Sequence, residues 1–300
     1  MTTTTDWPIL ESDSQMALAP GDRPLDDLAA GRIPAIVIRN AWSVESCQGL
    51  IDRLIADELL YDRTKPIPEK FLKKSIPEGY YREGKKAEAT RAWESAPQVG
   101  KNRIDIGTSL GYRGSDQDAF LAHADETREL FSRLFANGDD PIRLMYDALT
   151  KLSCGKRAVT AHEPDGREYG PAIIRAHYGG YTYAPHFDSV RLREKRSNYA
   201  VHEFEHQFAG VLVLQNTSLA DLTAQCQLHR CLWTEEVDPA LKSNSFHEFA
   251  AERQIPSVEV RLEPGDLYFF NTRCIHEVPG VAGELPRIVL ATFIGYSSDR

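Results

Sequence analysis

Two histidines and an aspartate are the residues of this sequence whose types and spacing could do chemistry together. His186 and Asp188 are separated only by Phe187, and His276 follows much later in the chain. Side chains two residues apart on a β-strand point to the same face, so an imidazole and a carboxylate would face one way. A second imidazole from a distant strand would complete two nitrogens and one oxygen on one side of a metal ion. Such a facial set leaves the opposite side open, as iron requires when it binds a co-substrate and O2.

The sequence around these residues strengthens the interpretation of a metal site. Tyr183-Ala184-Pro185 leads into His186, a Pro264-Gly265-Asp266 turn comes later, and Arg287 opens an apolar segment eleven residues after His276. Together these motifs resemble the Fe(II)/2-oxoglutarate-dependent dioxygenases, in which a Y-x-P-H-x-D strand, a P-G-D turn and an H-x-V motif followed by an arginine occur in this order. The resemblance covers the chain from Pro171 to Tyr296.

The segment that approaches the first histidine also resembles the freestanding indole-alkaloid halogenases. It runs from Glu163 to Arg175 and reads EPDGREYGPAIIR. Those halogenases carry glycine where this chain has Asp188. Because a carboxylate fills the coordination position that chloride would need, the resemblance implies a hydroxylase.

The resemblance also implies a fold, cofactors and residue roles. The fold is a double-stranded β-helix, or jelly roll, in a mainly β (α+β) protein with buttressing helices in its N-terminal part. Fe(II) would be held by His186, Asp188 and His276, with 2-oxoglutarate and O2 as co-substrates. Arg287 would pair with the distal carboxylate of 2-oxoglutarate. Further candidates for the same pocket are Tyr178 and Arg175.

The predicted reaction is hydroxylation of an unactivated carbon of a freestanding small molecule, with succinate and CO2 as co-products. Two alternatives remain open. One is a desaturase or cyclase that uses the same oxidising chemistry, and the other is a non-catalytic jelly-roll protein that acts as a metal-dependent sensor. A sensor would not need Arg287, so the joint presence of the three ligands and this arginine favours the enzyme.

Charge and composition argue against several other classes. The net charge of −9 disfavours nucleic acid as a general partner, because phosphate neutralisation needs a basic face. No apolar segment approaches the length of a membrane span and residues 1–6 lack the plan of a signal peptide, so a cytoplasmic protein is expected. Five scattered cysteines do not suit a disulfide framework. Neither a phosphate-binding glycine loop nor a G-x-S-x-G elbow is found in the sequence.

Hydrophobic periodicity predicts the elements that must position the site. Residues 1–32 are polar and are interpreted as a partly ordered arm, followed by a strand at Ala35–Ile38. Three amphipathic helices follow, one capped by Ser43 and extending to residue 55, one over residues 116–135, and one from Asp140 to about residue 153. These helices are predicted to buttress a sheet.

After Pro171 the periodicity becomes that of β-strands. Six strands are predicted: Ile173 to His177, Tyr181 to Ser189, Phe208 to Gln215, Val258 to Leu262, Leu267 to Phe270 and Arg287 to Tyr296. Residues 216–257 are interpreted as an insertion between core strands. We therefore divide the chain into an N-terminal helical and lid region, 1–170, and a jelly-roll catalytic core, 171–300, within one compact domain.

The segment from Arg63 to Arg103 has an unusual charge. It contains eleven Lys/Arg and five Glu, a net charge of +6 in a chain whose remainder carries −15. One interpretation is a solvated insertion, and another, compatible with the first, is a lid over the iron whose basic groups would meet an anionic small-molecule substrate. A second basic run follows Asp188 and is interpreted as solvated, with contact to an anion as the alternative: Arg191, Arg193, Lys195 and Arg196.

Overall fold

The computed structural model of the protein describes residues 7–13, 22–72, 103–110, 116–136 and 138–298. The predicted lid between Arg63 and Arg103 lies largely outside these residues. Across the described ranges the α-helices are α1 (Pro24–Ala29), α2 (Val44–Ala56), α3 (Glu69–Leu72), α4 (Gln117–Phe135), α5 (Pro141–Leu152), α6 (Asp238–Lys242) and α7 (Phe246–Glu252). None of these helices is long and apolar enough to cross a membrane.

The strands of the same ranges form two large sheets and a small hairpin. They are β1 (Leu10–Asp13), β2 (Ala35–Arg39), β3 (Arg103–Gly107), β4 (Ile173–His177), β5 (Tyr183–His186), β6 (His206–Gln215), β7 (Ser218–Leu219), β8 (Leu222–Thr223), β9 (Cys226–Leu232), β10 (Ser257–Val260), β11 (Leu267–Asn271), β12 (Cys274–Val278) and β13 (Arg287–Tyr296). The larger sheet has the order β1-β2-β11-β6-β13-β4-β3, and the smaller has the order β10-β9-β12-β5.

The path of the chain between these sheets is that of a jelly roll. Strands β4, β6, β11 and β13 belong to the larger sheet, and β5, β9, β10 and β12 belong to the smaller one. The chain crosses repeatedly from one sheet to the other, and neighbouring core strands are antiparallel. This topology confirms the predicted double-stranded β-helix.

Side chains of the larger sheet alternate between its two faces, and each face contributes to a different hydrophobic core. On β4, Ile174 and Ala176 pack with residues of α2, α4 and α5 on the outer face. Ile173 packs on the inner face with Leu228 and Val260 of the smaller sheet. The helices thus support the sheet from outside, as predicted, and the space between the sheets is left for the site.

The three predicted helices are confirmed, together with the predicted caps Ser43 and Asp140. The hydroxyl of Ser43 accepts from the backbone N–H of Ser46 at the start of α2. The carboxylates of Asp116 and Asp140 likewise accept from backbone N–H groups at the starts of α4 and α5. Pro141 lies in the first turn of α5. Each cap satisfies N–H groups that the first helical turn leaves unpaired.

The interpretation of residues 216–257 as an insertion is wrong for β9. This strand lies inside the smaller sheet, between β10 and β12. The predicted N-terminal arm contains β1, which pairs with β2, and α1, which packs on the core. Strands β1, β2 and β3 extend the same sheet that carries the core strands. The division of the chain at residue 170 stays a prediction.

Candidate metal centre

Pairing between β5 and β12 brings the two histidines together. The two strands are antiparallel neighbours in which His276 lies opposite His186, and the ring centroids are 4.2 Å apart. Asp188 follows β5, where its N–H donates to the carbonyl of Thr272 at 2.9 Å and its own carbonyl accepts from the Thr272 hydroxyl at 2.8 Å. Backbone hydrogen bonds therefore fix the position of all three residues.

The ligand atoms of this set converge on one point. Oδ2 of Asp188 lies 3.9 Å from Nε2 of His186 and 3.9 Å from Nε2 of His276. All three atoms lie within 4.8 Å of one another, and among the described residues this is the one cluster of His, Cys, Asp and Glu that could hold a metal ion. The structure therefore brings the three sequence-predicted ligands together.

Backbone carbonyls fix the tautomer of both histidines. Nδ1 of His186 lies 2.7 Å from the carbonyl oxygen of Ala184, and Nδ1 of His276 lies 2.8 Å from that of Cys274. A carbonyl only accepts hydrogen bonds, so each Nδ1 carries the hydrogen and donates it. The lone pair of each Nε2 then faces the point of convergence, as in metal-binding histidines.

The charge states also suit a metal ion. Burial, with a contribution from the neighbouring His186, lowers the pKa of His276 to about 3, and burial also lowers the pKa of His186. For Asp188, burial alone would raise the pKa, but the two histidines and nearby arginines outweigh it and leave the pKa lowered. At neutral pH the site therefore offers two neutral imidazoles and one carboxylate, a donor set that fits divalent iron.

The second carboxylate oxygen of Asp188, Oδ1, accepts a hydrogen bond from an arginine. Nη1 of Arg193 donates to Oδ1 of Asp188 at 2.9 Å and to the carbonyl of Phe187 at 2.7 Å. The side chain of Arg193 is 46% exposed, so it is solvated as the sequence interpretation of the basic run expects, and it also contacts Asp188. Spacing could not reveal this contact, because it depends on the turn that folds Arg193 back.

Arg287 is a buried cation on the inner face of the larger sheet. It opens β13 opposite His177 of β4, and its nearest polar neighbours include the Tyr268 hydroxyl. Within the described part of the chain, no carboxylate forms an ion pair with Arg287. A buried guanidinium without a counter-charge is costly, so this arrangement favours the binding of an anion.

The other two predicted cofactor residues lie on opposite faces. Arg175 is on the inner face, 3.8 Å from Asp105, and its charge acts on both His186 and Asp188. Tyr178 packs in the helix-side core, where its ring stacks on Tyr61 with centroids 4.1 Å apart and its hydroxyl donates to the Tyr61 carbonyl. The structure thus brings Arg175 towards the metal centre, and Tyr178 away from it.

Several inner-face neighbours were not predicted from the sequence. His177 and the hydroxyl of Tyr183 are hydrogen-bonded at 2.8 Å, and the Tyr183 ring stacks against His186 with centroids 5.7 Å apart. Arg103 pairs with Asp105 at 2.8 Å and lies over the Tyr183 ring. The available signal was alternation on β4, which places His177 on the same face as Arg175.

A cavity of about 820 Å³ has Asp188 among its lining residues. Its walls include aromatic side chains from several elements: Phe120, Tyr169, Phe204 and Phe293. A space of this size and lining is typical of sites for small organic molecules.

Comparisons with known proteins identify the family of the chain. A family model described as carrier-protein-independent halogenase WelO5 matches residues 21–300. No curated protein sequence matches the chain significantly.

Similar solved structures include an N-substituted L-amino acid dioxygenase from Burkholderia ambifaria AMMD, with 16% identity, 66% of this chain and 84% of that chain covered, and a TM-score of 0.45. The non-heme alpha ketoglutarate dependent epimerase SnoN from nogalamycin biosynthesis has 15% identity, coverage of 90% and 82%, and a TM-score of 0.44. A Pseudomonas putida prolyl-4-hydroxylase has 12% identity, coverage of 91% and 97%, and a TM-score of 0.38. Because the family model spans nearly the whole sequence, the chain belongs to the family of the carrier-protein-independent halogenase WelO5.

Proposed function

We propose that this protein is an Fe(II)/2-oxoglutarate-dependent oxygenase that hydroxylates an unactivated carbon of a freestanding small molecule. The observation that carries the proposal is Oδ2 of Asp188, which lies 3.9 Å from Nε2 of both His186 and His276. Iron(II), with 2-oxoglutarate and O2, supplies oxygen insertion into a C–H bond coupled to the decarboxylation of 2-oxoglutarate to succinate.

Arg287 supports 2-oxoglutarate as the co-substrate. A guanidinium presents its N–H groups in a plane that matches the two oxygens of a carboxylate. Arg287 is buried on the inner face and has no carboxylate partner among the described residues. The distal carboxylate of 2-oxoglutarate would neutralise it.

Asp188 supports hydroxylation rather than halogenation, although the family description names a halogenase. A halide needs an anionic position on the metal, and here the carboxylate of Asp188 supplies that anion. Arg193 holds the carboxylate in place through its other oxygen, at 2.9 Å. The protein therefore provides no vacant anionic position, and transfer of a hydroxyl group is the outcome that its own ligands favour.

The test is a metabolite-library screen with the purified protein, Fe(II), 2-oxoglutarate, chloride and 18O2. We expect succinate formation that depends on a library compound, and a product that has gained one labelled oxygen. A product that has lost two hydrogens would instead make the protein a desaturase or cyclase. A chlorinated product would contradict the role of Asp188, and metal binding with no turnover of 2-oxoglutarate would favour a sensor. The His276→Ala variant is the control, because any turnover that persists in it would come from iron bound outside this site.

A further inference from the structure

Arg193 is held against the metal-facing carboxylate by the turn that follows β5. The turn is closed by the N–H of Arg193, which donates to the Ser189 carbonyl at 3.1 Å, and by the N–H of Leu192, which donates to the Ser189 hydroxyl at 2.9 Å. Nη1 then donates to Oδ1 of Asp188 and to the carbonyl of Phe187. The guanidinium also lies 6.0 Å from the centre of the Phe187 ring. A carboxylate, a carbonyl and an aromatic face thus orient it.

The two oxygens of Asp188 consequently have different partners. Oδ2 faces both histidine Nε2 atoms at 3.9 Å, whereas Oδ1 is bonded to Arg193 at 2.9 Å. We propose that Arg193 is a positioning residue that makes Asp188 a one-oxygen metal ligand and so keeps a coordination position free for 2-oxoglutarate. This inference rests on the proposed function, because it assumes a metal ion at the three ligands and 2-oxoglutarate as its co-substrate.

Removal of Arg193 would change metal binding and co-substrate binding differently. Loss of the positive charge of Arg193 favours binding of the metal ion. The Arg193 side chain is 46% exposed, however, so water and salt keep this effect on metal affinity small. Loss of the hydrogen bond frees Oδ1 to bind the same metal ion as Oδ2. Neither effect weakens metal binding, and only the second one occupies a position that a chelating co-substrate needs. The two affinities must therefore be measured separately.

Two further variants separate contact from charge. Arg191 lies on the same turn and is exposed, and it forms no hydrogen bond or ion pair with any residue that the structure describes. Arg191→Ala therefore removes the same charge without releasing Asp188. Arg193→Lys keeps the charge and a donor, but it lacks the planar fork of the guanidinium.

The experiment is an anaerobic titration with Co²⁺ and then with 2-oxoglutarate, followed by calorimetry and by the visible absorption of Co²⁺, which depends on coordination number. We expect Arg193→Ala to bind Co²⁺ at least as tightly as the wild type, with an altered spectrum, and to bind 2-oxoglutarate about tenfold more weakly, the scale of effects from residues that support metal ligands. Arg193→Lys should recover part of this loss, and Arg191→Ala should behave as the wild type.

Three outcomes would overturn the inference. A wild-type spectrum and wild-type 2-oxoglutarate affinity in Arg193→Ala would show that the contact does not control the carboxylate. Loss of Co²⁺ binding in that variant would make Arg193 merely structural, and an equal defect in Arg191→Ala would point to charge alone. If the wild type bound Co²⁺ but not 2-oxoglutarate, the proposed function would fail, while the spectra would still show whether Arg193 controls how Asp188 binds.

Discussion

At the scale of single residues, both histidines are oriented for a metal ion by carbonyls of their own strands. We expect His276→Ala to weaken Co²⁺ binding by more than about 100-fold, because a direct ligand is lost and the loss of a partner that only orients a histidine ligand already costs about 10–100-fold. Calorimetric titration measures this effect. His202→Ala is the control, because His202 lies outside the ligand cluster. Unchanged Co²⁺ affinity in His276→Ala would place the metal elsewhere.

Arg287 can be tested independently of the metal ligands. Arg287→Ala should raise the Kd for 2-oxoglutarate about 10- to 100-fold, because a hydrogen-bonded charge contact contributes about 1.5–3 kcal/mol. Co²⁺ affinity should stay the same. Arg261→Ala, which removes a guanidinium with an 85% exposed side chain, should change neither value. If 2-oxoglutarate affinity were unaffected in Arg287→Ala, Arg175 would be the next cation to test.

Asp188→Gly removes a ligand and leaves the donor of Arg193 without its carboxylate. We expect this variant to lose most hydroxylation, because the anionic oxygen ligand is gone. It should retain some binding of iron and 2-oxoglutarate that depends on chloride, since a halide can take the place of the negative charge. Little or no chlorinated product is expected, because halogen transfer also requires the substrate carbon to lie nearer the halide than the hydroxyl group, which the proposed hydroxylase does not need. Product mass with and without chloride is the measurement.

The control for that variant is the double substitution Asp188→Gly with Arg193→Ala. If Arg193 helps to hold the halide, the binding of iron and 2-oxoglutarate by the double variant should no longer depend on chloride. Undiminished hydroxylation by Asp188→Gly alone would show that the carboxylate is not needed on the metal.

The residues that carry motifs could be found in the sequence, and their contacts could not. His186, Asp188 and His276 are marked by short-range spacing and by the order of flanking motifs. Arg193 was named only as part of a basic run, and its contact with Asp188 was not predicted, because that contact requires a turn whose geometry no spacing encodes. Tyr178 follows directly after the inner-face residue His177, so alternation alone would have assigned it to the helix side.

At the scale of elements, the Pro264-Gly265-Asp266 turn that leads into β11 depends on its glycine. Gly265 has a φ of +95°, and an added Cβ would lie 2.2 Å from the carbonyl oxygen of Trp42. Gly265→Ala should therefore lower the free energy of unfolding by at least about 3 kcal/mol, of which about 1–2 kcal/mol comes from the backbone conformation and the rest from overpacking.

Gly166→Ala is the matched control for this turn. Gly166 has a similar φ of +89°, but an added Cβ meets no atom within 4 Å. Its substitution should cost only the conformational part, about 1–2 kcal/mol. Urea denaturation measures both variants, and equal losses would show that the contact with Trp42 relaxes.

Helices were easier to predict than strands for a physical reason. Caps and a repeat of three to four residues are local signals, and α2, α4 and α5 show both. Buried and exposed residues do not alternate simply along β9. Its outward residue His229 is buried because Phe246 of α7 covers it, with ring centroids 4.9 Å apart. Strand β3 is buried on both faces, and on one of them the ion pair between Arg103 and Asp105 replaces apolar contacts.

At the scale of the whole molecule, buried neutral histidines make stability depend on pH. Burial lowers the pKa of His177, His186 and His276 from 6.5. As the pH falls through about 6.5, the unfolded chain binds protons at these residues and the folded chain does not. Each histidine then costs up to about 1.4 kcal/mol of stability per pH unit until its folded pKa is reached. The lowered pKa of Asp188 adds a loss at more acidic pH.

We therefore expect the Tm of the metal-free protein to fall between pH 7 and pH 5. Thermal unfolding at several pH values after chelator treatment is the measurement. His177→Gln removes one titrating group and should reduce the slope. A Tm that is constant over this range would mean that the histidines bind protons equally in the folded and unfolded states.

Strand β5 lies at the edge of the smaller sheet, with β12 as its one neighbour in the described part of that sheet. Edge strands and chain segments with few partners are where native proteins open first. A metal ion bound by His186 of β5 and His276 of β12 would join two strands whose ligands are ninety residues apart in sequence. Such a bond closes a long loop of the chain, in the manner of a cross-link. Fraying of β5 would then require release of the metal, so iron loading would also determine how often the barrel opens at this edge.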